Sequence, residues 1–131
     1  MNKLKLNIVD KGNSLEEPEY YLDLIIDGEI FLKEIDEDFN VVYFDALKKS
    51  LNKGGLYLIF TCSCGVADCG GWDYIKVEHN SSKIIWDFNY EKNYHFEFNL
   101  ENYKSEIEKI ESQLKQKELK LEPKFVVKST I

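Results

Sequence analysis

The sequence predicts an α+β fold: an antiparallel β-sheet (hairpin plus meander) packed by one short helix and one longer C-terminal amphipathic helix. Three observations point there. An Asp27-Gly28 pair sits between two apolar runs, and both central residues of a type I′ hairpin turn need positive φ. Short alternating runs separated by turn residues fill much of the stretch from residue 56 to residue 98, the pattern of a meander. Leu100, Tyr103, Ile107, Ile110 and Leu114 then recur at spacings of 3, 4, 3 and 4, one apolar stripe on a helix. Elements segregated in this way favour α+β over an alternating parallel design.

The elements follow in chain order. Leu4, Leu6 and Ile8 alternate with Lys3, Lys5 and Asn7, a strand with one wet face. Lys11-Gly12-Asn13-Ser14 reads as a turn, and Glu16-Glu17-Pro18-Glu19 as an acidic loop that Pro18 keeps out of a central ladder. Tyr20 to Ile26 is the first arm of the hairpin and Glu29 to Leu32 a second, shorter arm. Phe44, Leu47 and Leu51 fall at helical spacing, and Lys53-Gly54-Gly55 supplies a stop. A short helix is therefore expected within residues 41–53, although Val41 to Phe44 also suits a strand. Leu56 to Thr61 reads as one buried strand, followed by a glycine-flanked loop from Cys62 to Gly71. Trp72 to His79, Ile84 to Tyr90 and Tyr94 to Phe98 complete the meander. Asn99 is a fitting N-cap, with Glu101 in the first turn of the last helix. Residues 1–121 form a single domain on this reading. Residues 122–131 form a tail, or an edge strand through Phe125, Val126 and Val127.

Composition narrows the function classes. The chain has 131 residues and a net charge of −7, and all 17 basic residues are lysine. Without arginine there is no bidentate fork for phosphate or base edges, which counts against a nucleic-acid partner. Eight Tyr, eight Phe and two Trp suit core and interface packing better than base stacking, which needs a positive groove. No apolar run approaches the ~20 residues of a membrane span, and the first ten residues alternate. A cytoplasmic protein without membrane attachment is expected. There is no P-loop, dinucleotide fingerprint, Gly-x-Ser-x-Gly elbow or EF-hand pattern.

Two features carry chemistry. The first is Cys62-x-Cys64-x4-Cys69, which contains all three cysteines of the chain. Zinc is bound by four ligands, usually Cys and His, so these thiols are candidate metal ligands lacking a fourth partner. If residues 56–63 paired with 72–79, Cys62 would face Asp73 and His79 would face Leu56. His79 would then lie roughly 20 Å from the loop, at ~3.3 Å per strand residue. His95 sits on a later strand, and Asp68, Asp73 or water are weaker alternatives. The competing accounts are plain packing of small apolar thiols and a reversible Cys64–Cys69 disulfide. A Cys-His nucleophile finds little support, because Asp68 and Asp73 oppose thiolate formation.

The second feature is charge. Eleven acids and one lysine lie between Glu16 and Asp45, a local balance of −10 that leaves +3 for the rest of the chain. Such a segment either steers a basic partner or simply solvates a face. Asp27, Glu34, Asp36, Glu37 and Asp38 are the candidate partner-binding residues. No residue is assigned a catalytic role, and an enzyme is the less favoured class.

The residues also carry a resemblance. The Asp27-Gly28 hairpin, Thr61-Cys62-Ser63-Cys64-Gly65 through Cys69-Gly70-Gly71, Trp86-Asp87-Phe88, and Phe96-Glu97-Phe98 with Tyr103 together resemble a family of small uncharacterised bacterial proteins. That family shares a Cys-x-Cys-Gly…Cys-Gly loop, and the likeness spans residues 20–110. It implies no activity and no residue roles. More loosely, size, acidity and the α+β pattern are similar to the immunity proteins of polymorphic-toxin systems. The function expected is a non-enzymatic binding protein that neutralises a basic toxin through its acidic surface, with no cofactor. The alternative is a small zinc-binding or redox-linked module on Cys62, Cys64 and Cys69.

Overall fold

The computed structural model describes residues 1–12, 18–31, 40–62, 73–90, 92–123 and 126. The order is β1 (Leu4–Asp10), β2 (Tyr20–Ile26), β3 (Glu29–Ile30), β4 (Asn40–Val42), α1 (Phe44–Ser50), β5 (Gly55–Tyr57), β6 (Phe60–Cys62), β7 (Ile75–Asn80), β8 (Lys83–Tyr90), β9 (Lys92–Asn99) and α2 (Leu100–Lys117). The described strands pair as β1-β2-β3, β4-β6 and β5-β7-β8-β9, antiparallel throughout. The fold is α+β, with antiparallel sheets and a C-terminal helix, as the periodicity predicts. No helix among the described residues is long and apolar enough to cross a membrane.

Local chemistry explains the regular parts. Asp27 and Gly28 take φ of 54° and 86°, which gives the tight turn between β2 and β3. The second arm is only two residues long. Ser81 takes φ of 53° in the β7–β8 turn. Asn99 caps α2, its side chain accepting from the Asn102 N–H at 3.1 Å, which satisfies one orphan donor. Tyr103, Ile107 and Ile110 are fully buried along the α2 stripe. The helix ends at Glu118 in the left-handed region, φ 51°.

Two expectations change. The stretch read as one strand is two strands in two sheets: β5 pairs with β7, whereas β6 pairs with β4. Leu58 and Ile59, both buried, carry the chain between sheets. The pairing with β7 is close, because a Cβ at Gly54 would lie 3.0 Å from the Val77 carbonyl oxygen. Val41 and Val42 lie in β4, not in a helix, and the Tyr43 N–H extends the ladder by donating to Ile59 O at 2.7 Å. Burial of both valines opposite Thr61 and Phe60 outweighs any helical preference.

The core is aromatic because strand alternation puts every second residue on one face. Ile84, Trp86 and Phe88 of β8 lie opposite Phe98, Phe96 and Tyr94 of β9. Phe31, just after β3, packs edge-on to Tyr94 and Phe96, at 5.2 and 5.6 Å between centroids. Trp86 meets Phe98 at 5.0 Å and Tyr103 at 6.1 Å. One polar chain crosses this core. Trp86 Nε1 donates to Tyr103 Oη at 3.3 Å, and Ser50 Oγ donates to Leu47 O at 2.5 Å. The serine proton being spent, the Tyr103 hydroxyl donates to Ser50 Oγ, also at 2.5 Å. Each polar side-chain atom of this chain of contacts therefore has a partner. Burial pushes the Tyr103 hydroxyl far above its ordinary range.

The chain start joins the two larger sheets. The Asn2 N–H donates to Glu97 O at 2.7 Å and its Oδ1 accepts from the Glu97 N–H at 2.9 Å. Two residues later the chain enters β1. The outer edge of β1 is closed by side chains of α2, not by another strand. Asn102 accepts from the Leu4 N–H at 2.8 Å and donates to Leu4 O at 2.9 Å, while Glu106 accepts from the Leu6 N–H at 2.8 Å. The first half of the edge, at Leu4 and Leu6, is thereby blocked to another strand. After α2 the chain returns to β2, where Leu121 bridges Tyr20 and the Glu122 N–H donates to Tyr20 O at 2.7 Å. Of the proposed tail strand, Val126 packs partly against the core; Phe125 and Val127 lie outside the described residues.

Candidate functional site

The acidic residues start from the β2–β3 hairpin. The Asp27 carboxylate accepts from the Lys3 N–H at 2.8 Å and from Asn2 Nδ2 at 2.7 Å. These two bonds, the backbone one foremost, hold it below the usual carboxylate range. The Asp27 N–H in turn donates to Lys3 O at 2.9 Å. Asp27 is thus a clasp between the hairpin turn and the chain start, with its charge still exposed. Glu34, Asp36, Glu37 and Asp38 lie outside the described residues.

Pairing changes the local charge balance around that hairpin. Asp10, Glu19, Asp23, Asp27 and Glu29 are the acids of the β1–β3 sheet and its turns among the described residues, and β1 with its following turn contributes Lys3, Lys5 and Lys11. Asp27 receives the Lys3 backbone, Glu19 accepts from Tyr21 Oη at 3.2 Å, and Lys11 Nζ lies 5.8 Å from the centre of the Tyr21 ring. Asp45, at the far end of the acidic stretch, is paired with Lys49 at 3.0 Å. Of these acids, Asp45 has a lysine partner, from its own helix, whereas Asp27 and Glu19 are held by a backbone N–H and a tyrosine hydroxyl.

The cysteine loop also has different neighbours. Cys62 is paired with Asn40, not with Asp73. Leu56 lies opposite Lys76, three residues away from the expected partner His79. The reason is the sheet change between Tyr57 and Phe60. His79 is engaged elsewhere: its Nε2–H donates to Ser50 O at 2.8 Å, closing the C-terminal end of α1. Cys64, Cys69 and Asp68 lie outside the described residues. Among the described residues, no three His, Cys, Asp or Glu side chains are grouped to hold a metal ion. Thr61, next to Cys62 and 1% exposed, has a hydroxyl with no hydrogen-bond partner among the described residues.

One titratable cluster escapes sequence reading altogether. His95 lies directly opposite Asp87 on the outer face of the four-stranded sheet. Its Nδ1 meets Asp87 Oδ1 at 2.5 Å and its Nε2 meets Glu97 Oε2 at 3.2 Å. Lys83 Nζ reaches the other Glu97 oxygen at 3.4 Å. The hydrogen bond to Asp87, then that to Glu97, raises the imidazole above its ordinary value. Glu97 is correspondingly lowered by His95 and Lys83. With both ring nitrogens facing carboxylates, the pair of hydrogen bonds favours the imidazolium over the neutral ring. That form donates twice and has no lone pair for a substrate proton or a metal. The cluster is an ionic latch across β8 and β9. The signal was available in principle: Glu91-Lys92-Asn93 marks the turn, and a register symmetric about residue 91 places Asp87 opposite His95.

The same outer face carries the row Leu56, Lys76, Asp87, His95 and the row Glu78, Ile85, Glu97. Lys76 and Glu78 pair at 3.0 Å. Leu56 and Tyr74 are exposed at its β5 side, at 66% and 43%. Compared with family models, curated proteins and solved structures, the chain matches none.

Proposed function

We propose that this chain is a non-enzymatic binding protein whose acidic segment docks a basic protein partner, as an immunity protein occludes the active site of a bacterial toxin. The observation that carries this reading is the balance of −10 between Glu16 and Asp45 in a chain without arginine. Charge of one sign on adjoining segments speeds encounter with an oppositely charged surface and disfavours other partners. Asp27, Glu34, Asp36, Glu37 and Asp38 are the proposed contact residues. The loose likeness to polymorphic-toxin immunity proteins supports the choice of a toxin as partner. Because Asp27 also clasps the chain start, the test uses Glu34, Asp36, Glu37 and Asp38 changed together to lysine. Association is measured by stopped flow, over a range of salt, against the product of the gene adjoining this chain's own, which this reading expects to be a basic toxin. Slower association with a shallower salt dependence is expected. Unchanged kinetics would remove the acidic segment from the mechanism.

A second reading is a zinc-binding or redox-linked module on Cys62, Cys64 and Cys69. What supports it is the crowding of all three thiols of the chain into eight residues, with the fourth ligand open. Metal analysis of protein purified without added zinc decides the matter. One zinc per chain, lost in Cys64→Ser, supports the module; metal-free protein with three titratable thiols rejects its zinc form.

A further inference from the structure

A groove of about 330 Å³ runs between α1 and the C-terminal end of α2. Tyr43, Phe44, Leu114 and Leu119 supply apolar walls, and Leu121 and Pro123 are buried beneath them. The volume falls at the small end of the range for ligand pockets. The rim is charged, and its pairing is uneven. Asp45 is matched by Lys49 at 3.0 Å and Glu111 by Lys48 at 3.5 Å. Lys115 and Lys120 also line the groove, and neither has an ion-pair partner among the described residues. A protein of net charge −7 thus places at the lip of an apolar trough two ammonium groups that have no ion-pair partner among the described residues.

We propose that this groove binds an amphiphilic monocarboxylate of the medium-chain fatty acid class. The hydrocarbon lies along Tyr43, Phe44, Leu114 and Leu119, and the carboxylate meets Lys115 and Lys120. Apolar walls select the chain, and the two lysines select the sign of the head. Lysine is a point charge without the planar fork that favours phosphate. The nearby Asp45 and Glu111 carboxylates also favour a singly charged head over a dianion. The end of α2 does not repel such a head strongly, because Leu114 O is already occupied by the N–H groups of Glu118 and Leu119. This site shares no residue with the proposed partner-binding set Asp27, Glu34, Asp36, Glu37 and Asp38 or with the cysteine loop.

The test is an amide NMR titration of the full chain with decanoate, beside decanol and decyltrimethylammonium as neutral and cationic controls. Saturable shifts are expected at Phe44, Leu114, Leu119 and Leu121. Binding of decanoate should exceed that of either control. The exposed double variant Lys115→Glu/Lys120→Glu should lose about tenfold in affinity, as two partly exposed charge pairs allow, while Lys115→Arg/Lys120→Arg retains it. Equal binding of decanol and decanoate, shifts confined to another surface, or no saturable shift would overturn the proposal. So would nuclear Overhauser contacts from residues 124–131 into the groove of the free protein, which would assign the groove to the chain's own tail.

Discussion

Asn102→Ala is the most direct probe of how α2 closes the edge of β1. The side chain makes two hydrogen bonds to one residue, accepting from the Leu4 N–H at 2.8 Å and donating to Leu4 O at 2.9 Å. Alanine removes both and orphans a donor and an acceptor beside a fully buried Leu4 side chain. An orphaned buried group costs about 1–3 kcal/mol, and partial access to water at this site puts each near the low end. The better helix propensity of alanine returns about 0.5 kcal/mol. The net expectation is a loss of about 1.5 kcal/mol. Asn102→Leu should cost more, because its bulk excludes the water that would otherwise rescue Leu4. Asn102→Asp should cost less than alanine, because one oxygen still accepts from the Leu4 N–H and a negative charge suits the first turn of a helix. The assay is urea unfolding followed by the fluorescence of buried Trp86, with hydrogen exchange of the Leu4 amide as a local readout. A loss below about 0.5 kcal/mol for alanine, or identical midpoints for alanine and aspartate, would refute the account of the edge.

Three further outcomes are expected. Thr61→Val should stabilise the fold by about 1 kcal/mol, since it keeps the shape and removes a buried hydroxyl without a partner among the described residues; a lower urea midpoint would show that the hydroxyl is bonded. Glu118→Gly should add about 1 kcal/mol by relieving a left-handed residue at the end of α2, read as a higher thermal midpoint; a lower midpoint would mean that the Glu118 side chain contributes more than its backbone costs. The His95 latch should show a pH window. His95 is raised in the folded state, so its contribution is complete below the unfolded histidine value and disappears as pH rises through the folded one. Glu97 is lowered, so its contribution is present above the unfolded glutamate value and is lost as pH falls through the folded one. The latch is thus strongest between the two, and imidazole NMR should place His95 above the ordinary ~6.5. A titration at or below that value would break the latch.

The parts of the fold legible in sequence are those whose partners lie close along the chain. The Asp27-Gly28 turn, the β7–β9 meander and the α2 stripe each rest on a period or a turn chemistry that a window of ten to twenty residues contains. Asn99 capping Asn102 is the same kind of local chemistry. The candidate site was legible only as composition: an acidic stretch and three clustered thiols. Of its residues, Asp27 acquired a specific environment in the structure, and that environment is a clasp with Asn2 and Lys3.

Hydrophobic periodicity, turn residues and capping therefore sufficed for the class of fold, the hairpin and the last helix. Packing between distant segments set the rest. It switched the chain from β5 to β6 between two sheets, paired Cys62 with Asn40, and clasped Asp27 to the Lys3 backbone. It put His95 between two carboxylates and set Lys115 and Lys120 at the rim of an apolar groove. The physical reason is that a strand's alternation specifies which face is buried but not which strand lies beside it. The neighbour, and with it every cross-strand charge and hydrogen bond, is chosen by how the whole core closes.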